Sequence, residues 1–377
     1  MRIENGLVYS EDGTFQERTV RIRGERFSAF SDDQTRIDAT NCYVLPGLID
    51  LHVHGAMGGD FSDADPEALH RFASYEAAHG VTTICPTTMT LPKETLCAVA
   101  DSLKTYREQA SGWPEDARIA GFRMEGPFLS AEKCGSQETA HLIPPDAELV
   151  RELDRRSGKE LKIIDVAPEL PGAIDFIAAE KDDYCVSLAH TNADYTTART
   201  AIQHGARHLT HMFNAMSPVT HRAPGVIGAA SDDDTCEVEL IADGVHVHPS
   251  MVRNSFRIFG SRRILLISDS MRATGMPDGA YELGGHEVTV RGKRATLPDG
   301  TIAASVTNLY DCMVTCVRDM GIPMEQVLPC VTMNPARCLH INDKVGSIAL
   351  GKLADLLLVD RTTLHLRSVI LRGTVLF

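Results

Sequence analysis

Apolar and polar positions follow two different rhythms along this chain. From residue 1 to about 45, stretches such as GLVYS, RTVRIRG and RFSAF alternate apolar and polar residues between Gly and Asp breaks, the period of small antiparallel strands. From residue 346 onward, GSIALGKLADLLLVD and LRSVILRGTVLF have the same character. Two β-rich ends around a different middle predict one small β-sandwich domain formed by both termini, over 1–45 and 346–377.

The middle is built from short apolar runs that end in polar residues and are followed by helical segments. They are VLPGLIDLHVHG (44–55), VTTICPTTM (81–89), RIAGFRMEGP (118–127), LKIIDVAPE (161–169), YCVSLAHTNA (184–193), HLTHMFNAM (208–216), CEVELIADGVHV (236–247) and ILLISDSM (264–271). Connections such as PEALHRFASYEAAHG and ADYTTARTAIQHG carry the 3.6-residue period, the second with Gly205 as its stop. Eight strands alternating with helices predict an α/β chain folded as a (β/α)8 TIM-type barrel over 46–345. The competing doubly wound sheet usually carries a glycine-rich phosphate turn after its first strand, and no such turn is present. The segment 279–300 reads as a hairpin inserted after the eighth strand, with HEVTVRG and KRATLPDG as its arms. ASVTNLYDCMVTCVRDMG is the expected last barrel helix, and MEQVLPCVTMNPARCLH a helical segment closing the barrel's bottom or side.

Composition agrees with a globular chain of 377 residues, 43% hydrophobic and 23% charged. The net charge of −14 argues against nucleic acid and anionic membranes as partners, and leaves an anionic small molecule dependent on a local basic group. No signal-type N-terminus and no apolar run near the ~20 residues of a membrane span occur, so a cytoplasmic location is expected. The ten cysteines are sparse, form no CxxC pair and lie mostly in apolar segments, which reads as reduced packing thiols.

The candidate chemistry sits at strand ends. His52 and His54 are two apart on a strand, so their imidazoles project to the same face. Alone, such a pair is as readily two polar residues at a strand end. The balance shifts because Glu125 ends strand three, His190 strand five, His211 strand six and Asp269 strand eight. Barrel enzymes build active sites at these ends, and imidazole with carboxylate but no thiolate suits zinc, iron, manganese or cobalt. A divalent metal is therefore expected, one or two per chain. His208 lies at a strand start and reads as structural, and His248 as the start of a helix. His246 is placed to touch substrate. His70, His79, His204, His286 and His340 read as solvated.

PGLIDLHVHG followed by GVTTICPTTMT resembles the amidohydrolase superfamily. MEGPFLS, GSQ, AHTNA, HLTHMFNAMSP, IADGVHV, ISDSMRATG and GTIAAS narrow the resemblance to its N-acetylglucosamine-6-phosphate deacetylase branch, over nearly the whole chain. That resemblance implies Glu125, His190 and His211 as ligands of a first metal. Retention of His52 and His54 implies a second metal, with Glu125 bridging and Asp269 nearby as the proton carrier. It also implies substrate contacts at Ser136, Gln137, Asn214, Ala215, Arg222, His246, Ile302, Ala303 and Ala304. Gln137 departs from the histidine that some relatives carry there. Arg222 is implied to reach the neighbouring subunit's site in a homodimer. The expected reaction is hydrolysis of the acetamide of N-acetylglucosamine 6-phosphate. The N-acetylgalactosamine epimer, a cyclic amide and a non-catalytic binding barrel are the alternatives.

Overall fold

The computed structural model describes residues 1–31 and 34–377. Its centre is a barrel whose wall runs through Leu48–Val53, Val81–Thr88, a third strand in two pieces (Arg118–Ile119 and Phe122–Met124), Leu161–Val166, Cys185–Leu188, His208–Leu209, Glu237–Ile241 and Ile264–Ile267. Successive strands pair in parallel. Strand eight meets strand one where the Asp269 N–H donates to the His52 carbonyl at 3.0 Å. Close by, the Ser268 N–H donates to the Asp50 carboxylate at 3.2 Å.

Helices between the strands are set by local signals. The helix Pro66–Ala78 has Pro at its first turn and the Asp65 carboxylate accepting from Glu67 N–H. The helix Tyr195–His204 is capped by Asp194 and stopped by Gly205, whose φ of 127° a side chain would resist. Strand six is much shorter than its sequence window, because His211 already adopts a left-handed φ of 24° and turns the chain away.

Ile49, Leu51, Cys85, Ile163, Ile241, Leu265 and Ile267 fill the barrel interior, and Ala336, Leu339, Val345 and Leu353 pack against them from below. The helical pair Met324–Val331 and Met333–Cys338 thus closes the bottom of the barrel and not its side. The inserted hairpin is larger than its two expected arms. It is a four-stranded antiparallel sheet of Gly279–Leu283, His286–Arg291, Arg294–Thr296 and Ile302–Ala304. Its apolar face, Leu283, Val288, Val290 and Ala295, packs on Met89 and Met271 at the top of the barrel.

Both termini enter two further sheets. One holds Arg2–Glu4, Val20–Arg23, Arg26–Phe27 and Arg36–Asp38. The other holds Leu7–Tyr9, Phe15–Glu17, Cys42–Pro46, Leu356–Asp360, Leu366–Leu371 and Thr374–Val375. Ile3, Val20, Ile22 and Phe27 of the first share a core with Val8, Val44, Leu356, Leu358 and Ile370 of the second. Among the described residues, all ten cysteines are free and no helix is long and apolar enough to cross a membrane.

Gly47 is the joint between this β-layer and the barrel. Its N–H donates to the Asp355 carbonyl at 2.9 Å. A Cβ there would lie 2.6 Å from Thr82 Cγ2 and 2.8 Å from Thr82 Cβ, inside van der Waals contact. Gly47→Ala should therefore cost about 1–3 kcal/mol, as overpacked core positions do. Thr82→Ala in that background should recover part of the loss. Denaturant midpoints of the single and double variants decide it, and an unchanged midpoint for Gly47→Ala would refute the close fit.

Candidate metal centre

Six side chains converge at the C-terminal mouth of the barrel. Glu125 is the hub. Its Oε1 lies 3.1 Å from His190 Nε2, 3.1 Å from His211 Nε2 and 3.5 Å from His52 Nε2, and its Oε2 lies 3.2 Å from His54 Nε2. Asp269 Oδ1 is 3.5 Å from His52 Nε2 and 3.3 Å from His54 Nε2. Two overlapping ligand triads result, His52–His54–Glu125 and Glu125–His190–His211, sharing one carboxylate. Backbone geometry aims three of these groups. His190, His211 and Asp269 have φ of 42°, 24° and 51°, a conformation that non-glycine residues hold only when the surroundings enforce it.

The tautomers favour metal binding. His54 Nδ1 meets the Thr87 carbonyl at 3.1 Å and His190 Nδ1 the Lys133 carbonyl at 2.9 Å. A carbonyl only accepts, so both Nδ1 atoms carry the proton and, in the neutral rings, both Nε2 lone pairs face the centre. His52 is held in the same way by Glu239 Oε2 at 3.1 Å, which leaves its Nε2 buried without a hydrogen-bond partner. His190 Nε2 and His211 Nε2 approach each other to 3.1 Å. Two lone pairs have no reason to meet so closely. Ligand atoms around a tetrahedral ion with bonds of about 2.0–2.1 Å lie about 3.3 Å apart, and the observed spacings match that.

A network of buried charged groups lies beneath these six side chains. Arg123, fully buried, forks onto Asp165 at 2.9 and 2.8 Å, donates to Thr210 Oγ1 at 2.7 Å and pairs with Glu239. Glu239 uses its other oxygen for His52 and for the His211 N–H at 3.0 Å. Burial raises the Glu239 pKa, yet Arg123, His208 and His52 hold it well below the usual carboxylate range. Burial likewise opposes charge on His54, but its hydrogen bonds to the Asp269 and Glu125 carboxylates push its pKa up to about 9. With neutral histidines, Glu125, Asp165, Glu239 and Asp269 outnumber the one guanidinium. The centre calls for added positive charge, and a divalent cation held by these donors supplies it.

Around this centre lies a cavity of about 390 Å3, within the usual range for small-molecule sites. Its wall includes Ser136, Gln137, Asn214, Ala215, His246, Ile302 and Ala303, whereas Ala304 is buried behind them. Ser136 Oγ donates to the Ala303 carbonyl at 2.8 Å, tying the strand-three loop to the inserted sheet. Gln137, which lines the cavity, also supports the hub. Its Oε1 accepts from Thr90 N–H at 2.7 Å and its Nε2 donates to Glu125 Oε2 at 2.9 Å, so its amide orients the hub. His246 Nδ1 is held by Asp243 at 2.7 Å, which frees its Nε2. Arg222 lies outside this wall, exposed on the loop after strand six.

Other histidines separate cleanly. His208 is buried against Ser187 at 3.0 Å, with burial lowering its pKa to about 4, and His248 caps the helix Pro249–Phe259. His70 is not simply solvated: it stacks on Trp113 at 4.6 Å and pairs with Asp116 at 2.9 Å. Arg123, Asp165 and Glu239 were not singled out from the sequence. The available signal was a charged residue inside each of three apolar strands, FRM, LKIIDV and EVELI.

Fold and site together define a (β/α)8 hydrolase of the metal-dependent kind. The amidohydrolase family profile matches residues 43–375, and the chain belongs to that family. It is 35% identical over 376 residues to N-acetylglucosamine-6-phosphate deacetylase of Bacillus subtilis, covering 100% of this chain and 93% of that protein. It is also 32% identical to N-acetylgalactosamine-6-phosphate deacetylase of Escherichia coli O157:H7, covering 97% and 96%. A mutant N-acetyl-D-glucosamine-6-phosphate deacetylase from Mycobacterium smegmatis, in complex with N-acetyl-D-glucosamine-6-phosphate, superposes with a TM-score of 0.91 at 31% identity, covering 100% and 98%.

Glu239→Gln places an amide NH2 either against the Arg123 guanidinium or against both the His52 Nδ1–H and the His211 N–H, where the carboxylate accepted from all three. Metal affinity should fall about 10- to 100-fold, as loss of such supporting carboxylates does. Equilibrium dialysis reads this, and unchanged affinity would remove Glu239 from the metal's support. Arg123→Met strands two buried carboxylates and should cost about 3–5 kcal/mol in denaturant unfolding.

Proposed function

We propose that this enzyme hydrolyses the acetamide of N-acetylglucosamine 6-phosphate, giving glucosamine 6-phosphate and acetate. The observation that carries the reading is the double triad sharing Glu125, with Asp269 at its edge, opening into a cavity of sugar-phosphate size. Glu125, His190 and His211 would hold one divalent cation, and His52 and His54, with Glu125, a second. Zinc or iron suits this nitrogen-rich set first, manganese or cobalt next. Bound there, the cation supplies Lewis acidity, which acidifies water and polarises the amide carbonyl.

The chain's own groups do the rest. Asp269 is the acid group of the centre with the more open side chain, 12% exposed against 3% for Glu125. Burial raises its pKa, but His52 and His54 outweigh this and keep it ionised, ready to accept a proton. Its carboxylate takes the proton from the water that attacks the amide carbon, then delivers it to nitrogen as the C–N bond breaks. His246 Nε2 and the Phe213–Ala215 turn orient the sugar, and the inserted sheet excludes water through Ile302 and Ala303.

The exposed loop carrying Val219 and Arg222 suits a homodimer in which Arg222 enters the neighbouring site. Free, mostly buried thiols suit the cytoplasm.

Acetate release from N-acetylglucosamine 6-phosphate and its galactosamine epimer tests the activity, and failure on both rejects it. Chelation should abolish turnover and added metal restore it. Asp269→Asn should retain metal while kcat falls about 10²- to 10⁴-fold. For the dimer, mixing Arg222→Ala with Asp269→Asn subunits creates one intact site per hybrid. Activity above that of either parent is expected, and none would place Arg222 outside the partner's site.

A further inference from the structure

A protein of net charge −14 that binds a phosphate ester must offset its own field locally. Among the residues lining the 390 Å3 cavity there is one lysine or arginine, Lys133. We propose that Lys133 is the chain's own phosphate-gripping residue and sets the preference for phosphorylated over free amino sugar, an inference that rests on the deacetylase reading.

Three observations support it. The Lys133 side chain is half-buried, and its ammonium makes no hydrogen bond or ion pair among the described residues. The neighbouring carboxylate that could neutralise it, Glu132, is drawn away by Asn192 Nδ2 at 2.5 Å, and Asn192 in turn accepts from Ser217 Oγ at 2.6 Å. A cation whose nearest counter-charge is held elsewhere is available to an anion.

Secondly, the main chain of Lys133 is anchored to the reaction centre. Its N–H donates to the Ser130 carbonyl at 3.0 Å and its own carbonyl accepts from His190 Nδ1 at 2.9 Å. The lysine stem therefore starts from a fixed point beside His190, and the residue lines the cavity.

Thirdly, a second donor lies on a neighbouring turn. A Cβ on Gly135, two residues on, would lie 3.6 Å from Ala215 Cβ, so the Lys133–Gln137 loop and the Phe213–Ala215 turn adjoin in the cavity wall. Phe213 and Ala215 have φ of 81° and 51°, and among the described residues no hydrogen bond uses the Ala215 N–H. An ammonium and a backbone amide on adjoining loops are a suitable pair of donors for a phosphate monoester. Arg222, exposed on its own subunit, then adds to a grip that Lys133 begins.

The test compares kcat/KM on N-acetylglucosamine 6-phosphate with that on N-acetylglucosamine, for wild type, Lys133→Met and Lys133→Arg. Because the readout is a ratio within each variant, losses from folding cancel. Lys133→Met should lower the ratio about 10- to 100-fold, chiefly through KM, and Lys133→Arg should keep most of it. Inorganic phosphate, as a competitive inhibitor, should weaken in parallel in Lys133→Met. A wild-type preference for the phosphorylated sugar that persists in Lys133→Met overturns the role of Lys133 alone. A wild-type ratio near one overturns the sugar-phosphate reading itself, and this inference with it.

Discussion

Arg123 sits at 0% exposure in the barrel, gripping Asp165 with one edge of its guanidinium and Glu239 with the other. Burying an ion costs several kcal/mol unless its partners are close and well aligned, and here every partner lies on a different strand. Arg123 stands on strand three, Asp165 on strand four, Thr210 just beyond strand six and Glu239 on strand seven. The clamp therefore ties four parts of the wall to one another beneath the candidate ligand residues. Glu239 passes that order upward by holding both the His52 ring and the His211 backbone. A metal site at the mouth of a barrel needs ligands placed within fractions of an ångström, and this buried network is the element that places them.

The upper layer uses a different device. Three ligand positions at strand ends adopt left-handed backbone, which swings their side chains across the barrel axis. Such conformations persist only where neighbours over-determine them. The neighbours are visible: the Lys133 carbonyl and the Ser130 N–H on His190, the Glu239 carboxylate on the His211 N–H, and the His52 carbonyl on the Asp269 N–H. The Ser136 link to Ala303 then couples this layer to the inserted sheet. Centre and cover are thus one connected structure, and the sheet that shields the substrate rests on the same loop that orients the hub carboxylate.

The barrel was legible because each strand is apolar and each end polar, a signal that survives without knowing the neighbours. The ligand-type residues were legible for a related reason: a histidine or acid at a strand terminus stands out against Ile, Leu and Val. Arg123 and Glu239 were harder. A charge within FRM or EVELI looks like an ordinary outward position until the closed barrel brings Arg123 and Glu239 together across its interior. The family resemblance placed Gln137 at the substrate, and only the three-dimensional closeness of Thr90 and Glu125 shows what its amide holds. The short sixth strand was also beyond reach, since its end depends on a backbone turn at His211 that residue type does not encode.

The electrostatics impose an order of events. Before cations bind, Glu125, Asp165, Glu239 and Asp269 face a single guanidinium, and the excess negative charge is taken up as protons on imidazoles such as His54. An anion meets a repulsive mouth in that state, and Lys133 alone sets little against it. Divalent cations held by Glu125 and the histidines would offset that charge, and Asp269 would be the carboxylate left to accept a proton. On the proposed function, metal would therefore both activate the site and make it attractive to an anionic substrate. In a chain of net charge −14, that attraction must come from charges placed at the mouth itself.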